Sequence, residues 1–206
     1  MRVLIVSEGR SEHLSATSTH VRADEEIAGA LKTLVCRLGQ QSDQWQIDED
    51  RVSSQSVRVH HGKGKGYEKR CIRWMLEAEK RGYDAIVLLV DRDGVETRMT
   101  EVNAAQDSSL AAIRRALGVA IESFDAWMLA DHVALSKVLG TVVQRQPDPE
   151  RIADPKEAFR RLFQNAQRDG SISEHYAEIG AVADLSELTN RCPSGFAPFA
   201  ERVKSL

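Results

Sequence analysis

Acids placed directly after apolar runs are the residues of this chain best suited to chemistry. Glu8 follows Val3 to Val6, with Glu12 close behind it; Asp91 and Asp93 follow Ile86 to Val90; Glu122 and Asp125 follow Val119 to Ile121. Clustered carboxylates repel one another, and a hard divalent cation holds them together most naturally. Mg2+ or Mn2+ favours carboxylate and water oxygens and leaves coordination positions for a substrate phosphate. Asp-x-Asp-Gly alone can be a tight turn, because Asp and Gly suit one. Two apolar runs that each end in acids, the second giving two acids one residue apart, make a metal site the stronger reading.

For these acids to converge, the runs that precede them must be neighbouring strands. Val3 to Val6 and Ile86 to Val90 are unbroken aliphatic stretches of the kind found in strands buried on both faces. Ile27, Leu31, Leu34, Val35 and Leu38 recur at helical spacing and end at Gly39, which predicts an amphipathic helix. A further helix is predicted over Tyr67 to Arg81 with Gly82 as its stop, one over Asn103 to Leu117, and one holding Phe124, Trp127, Met128 and Leu129. Short strands are expected at Ser56 to His60 and Val119 to Ile121. Strand and helix therefore alternate, which implies βαβ units, a mainly parallel sheet with helices on both faces, and ligands at the carboxyl ends of the strands. After Pro147 no β-rich run appears, and helices are expected over Lys156 to Gln167 and Ser173 to Val182, with short pieces near Leu185 and after Pro193. The expected division is an α/β domain over 1–146 with a helical extension over 147–206 packed on it.

Composition narrows the setting without naming a partner. With 28 Lys and Arg against 31 Asp and Glu, the net charge of −3 removes the argument from a globally basic surface while leaving room for a local basic patch. A hydrophobic share of 42% and a charged share of 29% exclude a disordered chain. Cys36, Cys71 and Cys192 are odd in number and widely spaced, which fits neither a disulfide framework nor a zinc ribbon and points to a reducing cytoplasm. No apolar stretch reaches the length of a signal-peptide core or a membrane span, so no membrane role is expected.

Strand-Glu8-Gly9 together with strand-Asp91-x-Asp93 resembles the Toprim domain shared by topoisomerases, primases and the nucleases related to the overcoming-lysogenization-defect proteins. The order Glu8-Gly9-Arg10-Ser11-Glu12, Asp125-Ala126-Trp127-Met128-Leu129-Ala130-Asp131, Pro155-Lys156 and Cys192-Pro193-Ser194 with Phe196 is similar to a family of small bacterial Toprim-like proteins. Genes of that family often lie beside ATPase genes and in phage-defence neighbourhoods. Asp125 stands where that family usually carries Glu, keeping the charge and shortening the reach. The resemblance implies a Toprim-like fold, metal-dependent cleavage of DNA or RNA, and a separate ATPase partner in anti-phage defence.

On that reading, hydrolysis uses two metal ions. Glu8, Asp91 and Asp93 hold one; Glu12 with Asp93 or Asp125 holds the other, about 4 Å away. Where it is not fully committed as a ligand, Glu8 is the candidate general base, and Lys63, Lys65, Arg92 and Lys156 are the candidates for neutralising developing charge. Lys156 follows Asp154-Pro155, a helix start whose free N–H groups favour phosphate. The loop Gly62-Lys63-Gly64-Lys65-Gly66 lacks the spacing and the Ser or Thr of a P-loop, so its expected partner is a nucleic-acid backbone, touched by Lys63 and Lys65. His60 and His61 point to opposite faces of their strand and His13 belongs to a solvated loop, while Phe124, Trp127 and Met128 are expected in the core. Two alternatives stay open: a non-catalytic module regulated by an ATPase, and a phosphohydrolase acting on a small molecule. Self-association into a homo-oligomer is open as well.

Overall fold

The computed structural model describes residues 1–8, 29–40, 42–52 and 66–206. Four strands, β1 (Arg2–Ser7), β2 (Gln46–Arg51), β3 (Ala85–Asp91) and β4 (Arg114–Ala120), form one sheet in the order β2-β1-β3-β4. All three pairings are parallel. Parallel pairing needs crossovers, and the described ones are helical: α1 (Ala30–Leu38) precedes β2, α2 (Gly66–Lys80) precedes β3, and α3 (Thr97–Gln106) precedes β4. The protein is thus an α/β fold with helices on both faces of a parallel sheet.

Alternation along the strands divides the apolar side chains between two cores. Leu4, Val6, Ile86, Leu88, Leu117 and Val119 face α2 and α3 with Trp74, Met75 and Val102. Val3, Ile5, Val87, Leu89, Ala116 and Ala120 face the other way, onto α1 and the later helices. Those later helices are α4 (Asp125–Met128), α5 (His132–Leu139), α6 (Pro155–Ala166), α7 (Ile172–Val182), α8 (Leu185–Arg191) and α9 (Phe196–Lys204). Phe159, Tyr176, Phe196 and Phe199 from this region share the core of the sheet, as do Phe124, Trp127 and Met128, which are buried as expected. Among the described residues no helix is long and apolar enough to cross a membrane.

Local chemistry sets the ends of these helices. Gly82, at φ 75°, closes α2 in the left-handed conformation that glycine adopts at no steric cost. Asp154 caps α6 by accepting from the Glu157 N–H at 2.8 Å, and Ser171 and Glu174 form a reciprocal capping box on α7. Arg37 of α1 donates to the carbonyls of Gly180 and Ala183 at 2.6 and 2.7 Å, placing a cation at the carboxyl end of α7.

Two expectations are corrected. The helix read over Asn103 to Leu117 and the strand over Val119 to Ile121 become α3 over Thr97–Gln106 and β4 over Arg114–Ala120. Arg114 and Arg115 open β4 at its exposed end, which hid a strand whose last five residues are buried. β2 was not anticipated: Gln46-Ile47-Asp48-Glu49-Asp50-Arg51 is a polar edge strand with little apolar signal. The strand expected at Ser56 to His60 lies outside the described residues.

Candidate active site

Because β1 and β3 are adjacent and parallel, their carboxyl ends lie side by side, with Ser7 paired to Leu89. Glu8 therefore stands one residue beyond β1 and beside the end of β3. The Asp91 N–H donates to Glu8 Oε2 at 3.2 Å, and Asp91 Oδ1 in turn accepts from the Phe124 N–H at 2.8 Å. Past the strand, the Arg92 N–H donates to the Ala120 carbonyl at 2.9 Å and the Asp93 N–H to the Glu122 carbonyl at 3.0 Å. Asp93 and Glu122 both adopt left-handed backbone, at φ 48° and 57°. For residues with a Cβ that conformation costs about 1 kcal/mol each. The hydrogen bond from the Asp93 N–H to the Glu122 carbonyl ties the two together, and Gly94, at φ 68°, completes the turn.

The cation facing these acids is Arg98, at the second position of α3. Its Nη1 donates to the Asp91 carbonyl and, at 3.0 Å, to Asp93 Oδ2, and it lies 3.7 Å from Glu8 Oε2. The guanidinium covers the Tyr67 ring at 4.1 Å from its centroid. The Tyr67 hydroxyl donates to Glu8 Oε1 and accepts from Arg70 Nη1 at 3.1 Å, while its backbone N–H donates to Glu101 Oε2 at 2.8 Å. Burial, then the hydrogen bond to and the charge of Glu8, push the Tyr67 phenol up to about 12, so it is a neutral donor across the physiological range. The Arg98 side chain is 9% exposed, that of Glu8 23% and that of Asp93 60%, so the constellation opens to solvent on the Asp93 side.

The structure places Glu8, Asp91 and Asp93 along one edge of the sheet, with Arg98 and Tyr67, which sequence reasoning missed, beside them. A basic residue in the first helical turn, where the helix dipole disfavours it, is the signal that could have marked Arg98. Arg92 is engaged elsewhere, in an ion pair with Glu122. Asp125 is buried in the aromatic cluster and accepts a hydrogen bond from the Tyr176 hydroxyl. Lys156 is exposed on the first turn of α6, where Asp154 already takes the Glu157 N–H. Glu12, His13, His60, His61, Lys63 and Lys65 lie outside the described residues.

A family model described as a domain of unknown function (DUF4276) matches residues 17–204. The chain belongs to the DUF4276 family. No curated protein and no solved structure matches it. The DUF4276 match takes in Tyr67, Asp91, Asp93, Arg98 and Asp125, while Glu8 and Glu12 precede its first residue.

Two further DUF4276 segments singled out in the sequence have visible work in the fold. In the stretch from Asp125 to Asp131, Trp127 is fully buried, and Asp131 accepts from the Val133 and Ala134 N–H groups at 2.9 and 3.1 Å, capping α5. Its other oxygen accepts from the Asp184 N–H at 2.8 Å, fixing the entry to α8. The loop after Cys192 is held by buried Glu150, whose oxygens accept from the Ser194 and Gly195 N–H groups at 2.9 and 2.6 Å. A Cβ on Gly195 would lie 2.9 Å from both the Val119 carbonyl and Glu150, so only glycine fits against the end of β4. Cys71 and Cys192 are buried and their thiols are pushed up by that burial, which makes neither a ready nucleophile.

Among the described residues, no three His, Cys, Asp or Glu side chains stand close enough to form a ready-made metal cage. Mg2+ does not need one, since it is commonly held by one or two carboxylates with water and substrate phosphate completing its shell. Glu8 and Asp93 already share one positive charge, on Arg98, and the Arg98 Nε is buried with no hydrogen-bond partner among the described residues. The cation on which these carboxylates converge, at a partly open edge, is the Arg98 guanidinium.

Proposed function

We propose that this chain is a Mg2+- or Mn2+-dependent phosphodiesterase that cleaves DNA or RNA with a Toprim-type acidic edge. The observation that carries the reading is the hydrogen-bonded meeting of Glu8 with Asp91, 83 residues apart in sequence, beside Asp93 at the carboxyl ends of adjacent parallel strands. Glu8, Asp91 and Asp93 are the residues that would hold the cation, with Glu12 the further carboxylate named from the sequence. When bound, the ion supplies Lewis acidity toward a phosphoryl oxygen and eases deprotonation of water.

The side chains supply the rest. Tyr67 holds Glu8 Oε1 and the Asp91 N–H holds Oε2, so the carboxylate proposed as general base is fixed in place from both sides. Arg98 is the positive group beside these acids, suited to offset charge that develops on phosphate. Lys63 and Lys65 are assigned to the nucleic-acid backbone. An ATPase encoded nearby is the proposed partner, docking on the helices that follow residue 147, in keeping with a role in anti-phage defence.

The test is incubation of mixed DNA and RNA substrates with Mg2+ or Mn2+, with and without the neighbouring ATPase. Metal-dependent cutting is the expected result and identifies the polymer. Charge reversal by Lys63→Glu with Lys65→Glu separates the nuclease from a small-molecule phosphohydrolase. A nuclease loses polynucleotide cleavage and keeps turnover of a small phosphodiester; a small-molecule enzyme keeps both. A second reading, a non-catalytic partner module, draws on Arg98, whose one positive charge already pairs with two of the acids.

A further inference from the structure

We propose that Arg191 is the receptor for an oxyanion, a phosphate group, bound near the carboxyl end of β4. The proposal goes beyond the function given above and needs no metal ion. Arg191 is the last residue of α8, where the helix dipole favours a basic side chain, but arginine is seldom buried there without a partner. This one is 8% exposed, makes no hydrogen bond or ion pair among the described residues, and has its Nη1 fully occluded. A guanidinium does not give up its proton, so it cannot escape the cost of burial by becoming neutral. Water can satisfy its donors but supplies no countercharge. The acids whose charge, like that of Arg191, bears on the Cys192 thiol are Glu150 and Asp148, and both are committed elsewhere. Glu150 accepts from the Ser194 and Gly195 N–H groups at 2.9 and 2.6 Å, and Asp148 pairs with Arg151 Nε at 3.9 Å.

The carboxyl end of a strand is where an open parallel sheet takes its ligands. A Cβ on Gly195 would lie 2.9 Å from the Val119 carbonyl and 3.2 Å from the Ile121 nitrogen, so the loop that Arg191 leads into is pressed against the end of β4. Two more buried donors in this region lack partners: the Ser123 hydroxyl, two residues past Ile121, and Trp127 Nε1, whose ring packs on Phe196 at 5.1 Å. Buried polar groups are as a rule hydrogen-bonded, and a polar ligand accounts for such a set. Among the oxyanions that a guanidinium fork matches, phosphate carries the most charge to offset a buried cation. β4 pairs with β3 as far as Ala120 opposite Asp91, so this end of the strand adjoins the acidic edge.

Titration of the full chain with inorganic phosphate at constant ionic strength, on wild type, Arg191→Lys and Arg191→Met, tests this. Phosphate is expected to raise the wild-type melting temperature. Arg191→Met should lose at least about tenfold in phosphate affinity, the scale of a hydrogen bond to a charged group, and Arg191→Lys should keep part of it. Without phosphate, Arg191→Met should melt no lower than wild type, because it sheds an unpaired buried charge. A merely structural arginine gives the reverse, a lower melting temperature in Arg191→Met with the phosphate response intact, and that result overturns the proposal. A short single-stranded oligonucleotide titrated in parallel separates the sources of the anion. A response to phosphate alone assigns a free phosphate, a response to the oligonucleotide that Arg191→Met loses assigns a nucleic-acid backbone, and a response to neither overturns the proposal. Should Arg191→Met not fold, the wild-type Arg191 Nε–Hε resonance, assigned by its loss in Arg191→Lys, replaces it as the readout. Added phosphate is expected to shift that resonance, and a resonance that neither phosphate nor the oligonucleotide moves overturns the proposal.

Discussion

The backbone N–H of Asp91 donates to Glu8 Oε2 at 3.2 Å, so the acid that follows β1 is fastened to the last residue of β3. The bond uses the amide of Asp91 and leaves its carboxylate for other work, which includes holding the Phe124 N–H at 2.8 Å. The site and the start of α4 are thereby linked through one side chain.

That double use of Asp91 predicts a split between two substitutions. Asp91→Asn keeps an acceptor for Phe124 and should fold with nearly the wild-type melting temperature while losing metal-dependent activity. Asp91→Ala leaves the Phe124 N–H without its acceptor and should cost about 1 to 3 kcal/mol of stability as well. Thermal denaturation of both variants beside the cleavage assay checks this, and equal stability losses in the two would contradict it.

Asp125 is predicted to act through the fold. It is buried against Tyr176, in the cluster of Phe124, Trp127 and Phe159. Asp125→Asn and Tyr176→Phe should each destabilise by about 1 to 3 kcal/mol, and a double-mutant cycle should show that the two losses are coupled. Mn2+ affinity should be unchanged in Asp125→Asn. A drop in Mn2+ affinity in that variant, with the melting temperature held, would return Asp125 to the metal ligands expected from the sequence.

Glu150 gives a pH signature away from the site. Burial raises its carboxyl above the ordinary value of 4.5, an effect that the Ser194 and Gly195 N–H groups only partly offset. As pH rises past 4.5, the unfolded chain releases this proton before the folded one does, so the contribution of Glu150 to stability falls across that window. Glu150→Gln cannot titrate and also places an amide against one of the two N–H donors, so it should be less stable than wild type. The gap between the two proteins should be widest in acid and narrow as pH rises. Melting curves from pH 4 upward measure it, and a gap that widens with pH would refute this sign.

How much the sequence disclosed follows from how each residue is held. β1 and β3 are central strands buried on both faces, so their apolar runs announce them and the acids that follow are placed by chain direction alone. β2 is a polar edge strand that owes its place to pairing with β1, which composition cannot express. β4 begins with two arginines and its burial starts only at Ala116, so its sequence lacks the apolar run of a buried strand at that end. Tyr67 and Arg98 come from two helices on the same face of the sheet, and only packing brings the ring of one under the guanidinium of the other. Asp125 carried the right charge at the right distance from a strand; its burial against Tyr176 depends on a residue from α7.

The most direct measurement is cleavage by wild type, Glu8→Gln and Asp91→Asn, each shown to be folded, with DNA and RNA in Mg2+ or Mn2+ and with the neighbouring ATPase present and absent. The predicted result is metal-dependent cutting by wild type and a loss of at least about 100-fold in both variants, the scale set by removal of a positioned acid or base. Cutting that survives both substitutions, or no cutting by folded wild type under any of these conditions, would contradict it.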